Sequence, residues 1–71
     1  MNPTSSNYQA ISPREIEIVQ LLAKGFASKQ IAATLYISKH TVDTHRRNLL
    51  RKTNTKNTLE LTVACLRAGL I

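Results

Sequence analysis

The chain has 71 residues, enough for one domain but not for a large core, since a domain this small buries only roughly 60% of its unfolded surface. Apolar residues make up 42%, which argues against disorder, and ten Lys and Arg against four Asp and Glu leave a net charge of +6. That balance points to a polyanionic partner, nucleic acid ahead of an anionic membrane surface, with a merely soluble basic surface as the plain alternative; the lone Cys65 excludes an internal disulfide and fits a reducing cytosol.

Residues 1–10 read as a polar tail or linker stub, with neither the charge nor the apolar stretch of a signal peptide, and residues 11–71 as the domain. No apolar run approaches the ~18 residues of a membrane span. Ser12-Pro13-Arg14-Glu15 offers a capping serine, a proline at the first helical position and a glutamate three residues after the cap. Ile16, Val19, Leu22 and Ala23 follow at helical spacing, with Ile18 and Leu21 alongside, and Lys24-Gly25 supplies a stop. The first helix is predicted over 13–24. Ser28 is the next capping candidate, and Ile31, Ala32 and Leu35 give a short second helix over 29–35, too short to stand without packing. Tyr36-Ile37 forms a turn. Ser38 caps a third helix over 39–52, with Asn54 suited to a left-handed residue behind it. Asn57 with Glu60 opens a fourth helix over 58–68, which stops at Gly69. Strand signals are absent. An all-α, four-helix architecture is expected, and a short helix, a tight turn and a basic helix in succession make it a helix-turn-helix domain.

Projected at helical periodicity, the third helix puts Val42, His45 and Leu49 on one side and His40, Asp43, Thr44, Arg47 and Arg51 on the other, with Arg46 and Leu50 on the flank. A helix of this kind fits the major groove of duplex DNA. Arg47 is the expected base reader, because arginine can bond O6 and N7 of guanine together. Asp43 can accept from a cytosine amino group or hold Arg47 one turn on, and Thr44 can meet a thymine methyl or a phosphate. Helix starts attract anions, so Ser28, Lys29 and Thr41 are expected near phosphates, with Arg51, Lys52 and Lys56 extending a basic edge. The plain alternative is a solvated helix face; the coincidence of short helix, turn and basic helix weighs against it.

These residues also carry a resemblance. Ile11-Ser12-Pro13-Arg14-Glu15 resembles the L-[ST]-x-R-E opening of LuxR-type domains. Gly25-Phe26-Ala27-Ser28-Lys29-Gln30-Ile31-Ala32 is similar to their G-x-[ST]-N-K-E-I-A, and Ile37-Ser38-Lys39-His40-Thr41-Val42-Asp43-Thr44-His45 to their I-S-x-x-T-V-x-x-H. Leu49, Lys52, Glu60 and Gly69-Leu70-Ile71 fit as well. The resemblance implies the four-helix DNA-binding domain of a bacterial transcription regulator, usually placed behind a receiver or sensing domain. It implies that Asp43, Thr44 and Arg47 face bases, that Lys29, Thr41 and His45 face or support the phosphate backbone, and that the last helix forms a homodimer contact on DNA. The chain departs from the pattern at Asp43, where relatives often carry a basic residue, and at Arg46, a usually apolar site. It departs again at Thr53, which puts a hydroxyl where an apolar plug is usual, and at Asn54, which stands in for glycine.

The fourth helix carries Leu59, Leu61, Val63, Ala64, Cys65, Leu66 and Ala68, more apolar circumference than one packing stripe needs. Either it is well buried or its second face meets a partner protomer, with Val63, Ala64 and Arg67 as the expected dimer face. Cys65 reads as a small core residue. His40 and His45 point to different faces with no acidic or thiol partner, so no metal site is read. No activated nucleophile and no phosphate-cradling glycine loop is present, so neither an enzyme nor a cofactor site is expected. The leading expectation is sequence-specific duplex binding in the cytoplasm, at the nucleoid. The alternative is an adaptor of the same fold that docks RNA polymerase or another regulator. Membrane association is disfavoured, because the third helix lacks the apolar face of an interfacial helix.

Overall fold

The computed structural model describes residues 10–71, so the expected tail lies, but for Ala10, outside the described residues. Four helices follow in order: α1 (Pro13–Ala23), α2 (Ser28–Leu35), α3 (Lys39–Thr53) and α4 (Thr58–Arg67). No strand occurs among the described residues, and no helix there is long and apolar enough to cross a membrane.

α1 starts where its cap is complete. Ser12 Oγ accepts from the Glu15 N–H at 3.1 Å, and the Ser12 N–H donates to Glu15 Oε1 at 2.9 Å. The helix stops at Ala23, one residue short of the predicted end, because Lys24 is the cap and Gly25 then takes φ +91°, which favours glycine. Its buried stripe is Glu15, Ile18, Val19 and Leu22, the spacing of successive helical turns; Ile16 is only half-buried and Ala23 is exposed, so the predicted stripe is rotated by about one position.

α2 begins one residue earlier than predicted, and Ser28 is not its cap. Ala27 holds the cap position and has no side-chain oxygen to offer; Gln30 compensates in part by accepting the Ala27 N–H at 2.8 Å. Ser28 is drawn inside the helix instead because Arg46 donates to its hydroxyl from α3. Tyr36 ends α2 in the left-handed conformation with φ +59°. The Ile37 N–H then reaches back to the Ala32 carbonyl at 3.1 Å, which makes the turn tight.

α3 is capped by Ser38, whose Oγ accepts from the Thr41 N–H at 3.0 Å, and runs to Thr53, one residue past the prediction. Asn54 takes the expected left-handed turn with φ +54°. α4 is capped by Asn57 Oδ1, which accepts from the Glu60 N–H at 2.9 Å, and ends at Arg67 with Ala68 as its cap rather than its last residue.

The core sits where the four helices meet: Ile18, Val19 and Leu22 of α1, Ile31 and Ala32 of α2, Val42 and Leu49 of α3, and Leu61 and Cys65 of α4. α2 packs on α3, α1 packs against the other three helices, and α4 packs on α1 and α3, so one face of α3 stays uncovered. Three polar residues are buried in the interior: Glu15, Ser28 and Thr53. Thr53 Oγ1 donates to the Leu49 carbonyl at 2.8 Å, so the hydroxyl that replaces an apolar plug is satisfied within its own helix. Glu15 accepts from Lys52 Nζ at 2.7 Å, and the same ammonium donates to the Ala10 carbonyl at 2.9 Å. Lys52 therefore closes the fold from α3 onto the start of α1 and is not part of the expected free basic edge.

Candidate nucleic-acid interface

The cap at Ser38 determines which way α3 presents its side chains. With Val42, Leu49 and Thr53 turned into the core, the opposite face carries Asp43, Thr44, Arg47 and Arg51. Arg47 is exposed and makes no hydrogen bond or ion pair with any described residue. Thr44 lies half-buried beside it, also with no such partner. Arg51, one turn on, is exposed and donates to Asn48 Oδ1 at 2.7 Å.

Asp43 does not hold Arg47. Lys39 Nζ donates to its Oδ2 at 2.7 Å from one turn earlier, on the N-terminal side of α3. This hydrogen bond, with the Ser28 hydroxyl nearby adding to it, keeps the Asp43 carboxyl below the usual carboxylate range. The carboxylate is charged and oriented before any partner arrives.

The residues expected at phosphates fall into two groups. Lys29 projects from the first turn of α2, exposed and without a partner among the described residues. Thr41 sits in the first turn of α3, with its Oγ1 2.9 Å from Ser38 Oγ, and His45 is half-buried one turn further along. Ser28 is different: it is only 5% exposed, and Arg46 Nη1 donates to its Oγ at 2.6 Å. What α2 presents here is its first amides, ahead of the first intrahelical bond from the Ile31 N–H to the Ala27 carbonyl at 3.0 Å.

Arg46 is the residue that sequence reasoning missed. It sits on the inward flank of α3 and its Nη2 donates to Thr58 Oγ1, also at 2.6 Å. The available signal was a charge at a usually apolar site together with two helix starts, Ser28 and Thr58, that bear hydroxyls.

The second patch lies on α4. Leu61 and Cys65 fill the core, but Leu59 is 73% and Leu66 61% exposed, so burial does not account for all of this helix's apolar surface. Leu59, Glu60, Val63, Ala64 and Arg67 line one shallow groove. It includes the three residues expected at a dimer face and adds Leu59 and Glu60. The structure keeps this groove apart from the Arg47 face, on its own helix.

Comparison with known proteins decides what kind of domain this is. The profile of "Bacterial regulatory proteins, luxR family" matches residues 9–65. The chain belongs to the luxR family of bacterial regulatory proteins. Among luxR-family relatives, it is 37% identical over 70 residues to the oxygen regulatory protein NreC of Staphylococcus carnosus, a match over 99% of this chain and 32% of that protein. It is 40% identical over 60 residues to the nitrate/nitrite response regulator NarP of Escherichia coli, over 84% of this chain and 28% of that protein. The crystal structure of the response regulator ChrA, of a heme-sensing two-component system, superposes with a TM-score of 0.85 at 41% identity, over 89% of this chain and 31% of that one. The chain thus spans about a third of the length of these relatives. LuxR-family membership makes it a DNA-binding, helix-turn-helix regulatory domain and not an enzyme.

Proposed function

We propose that this chain binds duplex DNA with sequence preference, as the effector domain of a transcription regulator, by laying α3 in the major groove. The observation that carries the proposal is the exposed face of α3, where Arg47, without a partner among the described residues, stands between Thr44 and the Asp43 that Lys39 holds. Arg47 and Thr44 read base edges, and Asp43 accepts from a cytosine amino group. Lys29, Thr41, His45 and Arg51 seat the domain on phosphates, and at Ser28 the backbone amide rather than the hydroxyl makes that contact. The net charge of +6 draws the chain to the duplex. As such a regulator it works in the cytoplasm, at the nucleoid.

Fluorescence anisotropy against duplexes selected from a random pool tests this reading. Arg47→Ala should relax preference at one base pair by about 1–3 kcal/mol. Lys29→Ala should weaken all sequences alike and reduce the slope of log K against log salt by about one. A domain that binds all duplexes equally at low salt, and instead binds RNA polymerase or another regulator tightly, would replace this reading with the adaptor one.

The uncovered groove of α4 supports a second element of the proposal: two copies meet through Val63, Ala64 and Arg67, with Leu59, when bound to DNA. Selected sites should then be inverted repeats with half-site centres roughly 10 bp apart. Val63→Asp should leave half-site binding intact and abolish the preference for paired half-sites.

A further inference from the structure

The groove on α4 carries its charges in a definite order. Glu60 and Arg67 both line it, one near each end, with Val63 and Ala64 between them. They are separated by about two helical turns, or about 10 Å along the axis, and so share one side of the helix. Both are exposed. Arg67 makes no hydrogen bond or ion pair with any described residue. Glu60 uses only Oε1, which accepts from the Lys56 N–H at 3.0 Å, so Oε2 has no partner among the described residues. An acid in the first turn and a base in the last suit the helix dipole. The dipole acts equally all around the helix, however, and does not require both charges to line one apolar groove.

The order of charge becomes informative when the groove meets a copy of itself. A two-fold axis perpendicular to α4, passing between Val63 and Ala64, lays a second α4 across the first in the opposite direction. Each Glu60 then lies level with the partner's Arg67. Each Val63 lies level with the partner's Ala64, larger against smaller, and Leu59 lengthens the apolar contact at either end. A parallel pair would instead set acid against acid and base against base.

We propose that the α4 groove takes a second copy of this chain running antiparallel, and that two reciprocal Glu60–Arg67 pairs select that partner. This rests on the reading that two copies meet through α4. Exposed ion pairs add little affinity, so Val63 and Leu59 supply the contact. The charges supply the choice, because a chain with the opposite order, or one lying parallel, brings like charges together.

The test reads paired-site preference, the affinity for an inverted repeat relative to that for a single half-site. It is measured for the unaltered chain, Arg67→Glu, Glu60→Lys and an equal mixture of the two variants. Single half-site binding is the reference for the altered net charge. Each variant alone sets like charges together at both contacts and should lose preference roughly tenfold. In the mixture, one copy of each kind restores opposite charges at both contacts, so preference should return close to that of the unaltered chain. Glu60→Gln keeps an oxygen for the Lys56 N–H and serves if Glu60→Lys lowers the fraction folded; mixed with Arg67→Glu it should recover part of the preference. Preference that is unchanged in both single variants, or that mixing does not recover, would overturn the proposal. If Val63→Asp abolishes preference while the charge variants keep it, two copies still meet through α4 and only the antiparallel pairing fails. If Val63→Asp keeps it as well, both fall.

Discussion

Glu15 shows how one side chain can serve two parts of a fold. It caps α1 through Ser12 and anchors Lys52 of α3, while only 4% of its side chain reaches solvent. Burial pushes its pKa up, but the hydrogen bond from Lys52, the Ser12 amide and the Lys52 charge together pull it further down, below its ordinary 4.5. A carboxyl whose folded pKa is depressed contributes stability above its unfolded pKa and loses it as pH falls through the folded value. The urea midpoint should therefore fall as pH drops below about 4.5, and Lys52→Met should remove much of that dependence. Glu15→Ala should cost about 3 kcal/mol, the low end for stripping one partner from a buried pair, because Lys52 is 27% exposed and can regain water. Tyr36 presents the reverse case. It is 94% exposed and held at φ +59°, so nothing in the domain repays its strained backbone. Tyr36→Gly should raise stability by roughly 0.5–1 kcal/mol, the left-handed cost to an L-residue less the larger unfolded-state entropy of glycine. Asn54→Gly, at a similar φ, should change it less, since asparagine tolerates that region. Thermal melts of both variants decide this. The capping role of Glu15 was legible in Ser-Pro-Arg-Glu because it is local. Its bond to Lys52 crosses 37 residues and depends on how α3 lies over α1, which spacing along one helix cannot reveal.

Among the helices, α2 is the least secured at its own start. It is eight residues long, and Ala27 at its cap position has no side-chain oxygen to accept an amide. Ala27→Ser should stabilise the domain by about 1 kcal/mol, whereas Ser38→Ala at the start of α3 should destabilise it by a similar amount. Chemical denaturation of the two variants gives both signs. All four helices were legible from the sequence to within one residue at each end, because caps, stop signals and apolar spacing agree. Ser28 was misread as a cap for a definite reason. Serine before an apolar stripe is a good local signal, but the hydroxyl is claimed by Arg46 from 18 residues away. The same holds for Asp43: on a helix wheel, Arg47 and Lys39 are equally spaced from it. The usual preference for an acid N-terminal to its base favours Arg47, so the bond to Lys39 is visible only in the structure. Exposure of the second face of α4 was open in the sequence and became clear only once the core was full without it.

For the molecule as a whole, the arrangement separates two surfaces on one small core. The exposed face of α3 carries Arg47 and Arg51, α4 carries a largely apolar groove, and Arg46 ties the start of α2 to the start of α4. A chain of net charge +6 should associate with duplex DNA quickly at low salt and lose affinity steeply as salt rises. Titrations at several ionic strengths measure how many phosphates it engages. Cys65 adds a different opportunity. It is the chain's one thiol, it is fully enclosed by the core, and burial raises its pKa. A soluble alkylating reagent can reach it only when α4 lifts away, so the alkylation rate at a given pH is the intrinsic thiol rate scaled by the fraction of molecules open at that instant. The protein therefore carries a built-in clock for its own breathing. With no probe attached, that clock can be timed with and without DNA, to ask whether the duplex clamps α4 as well as α3.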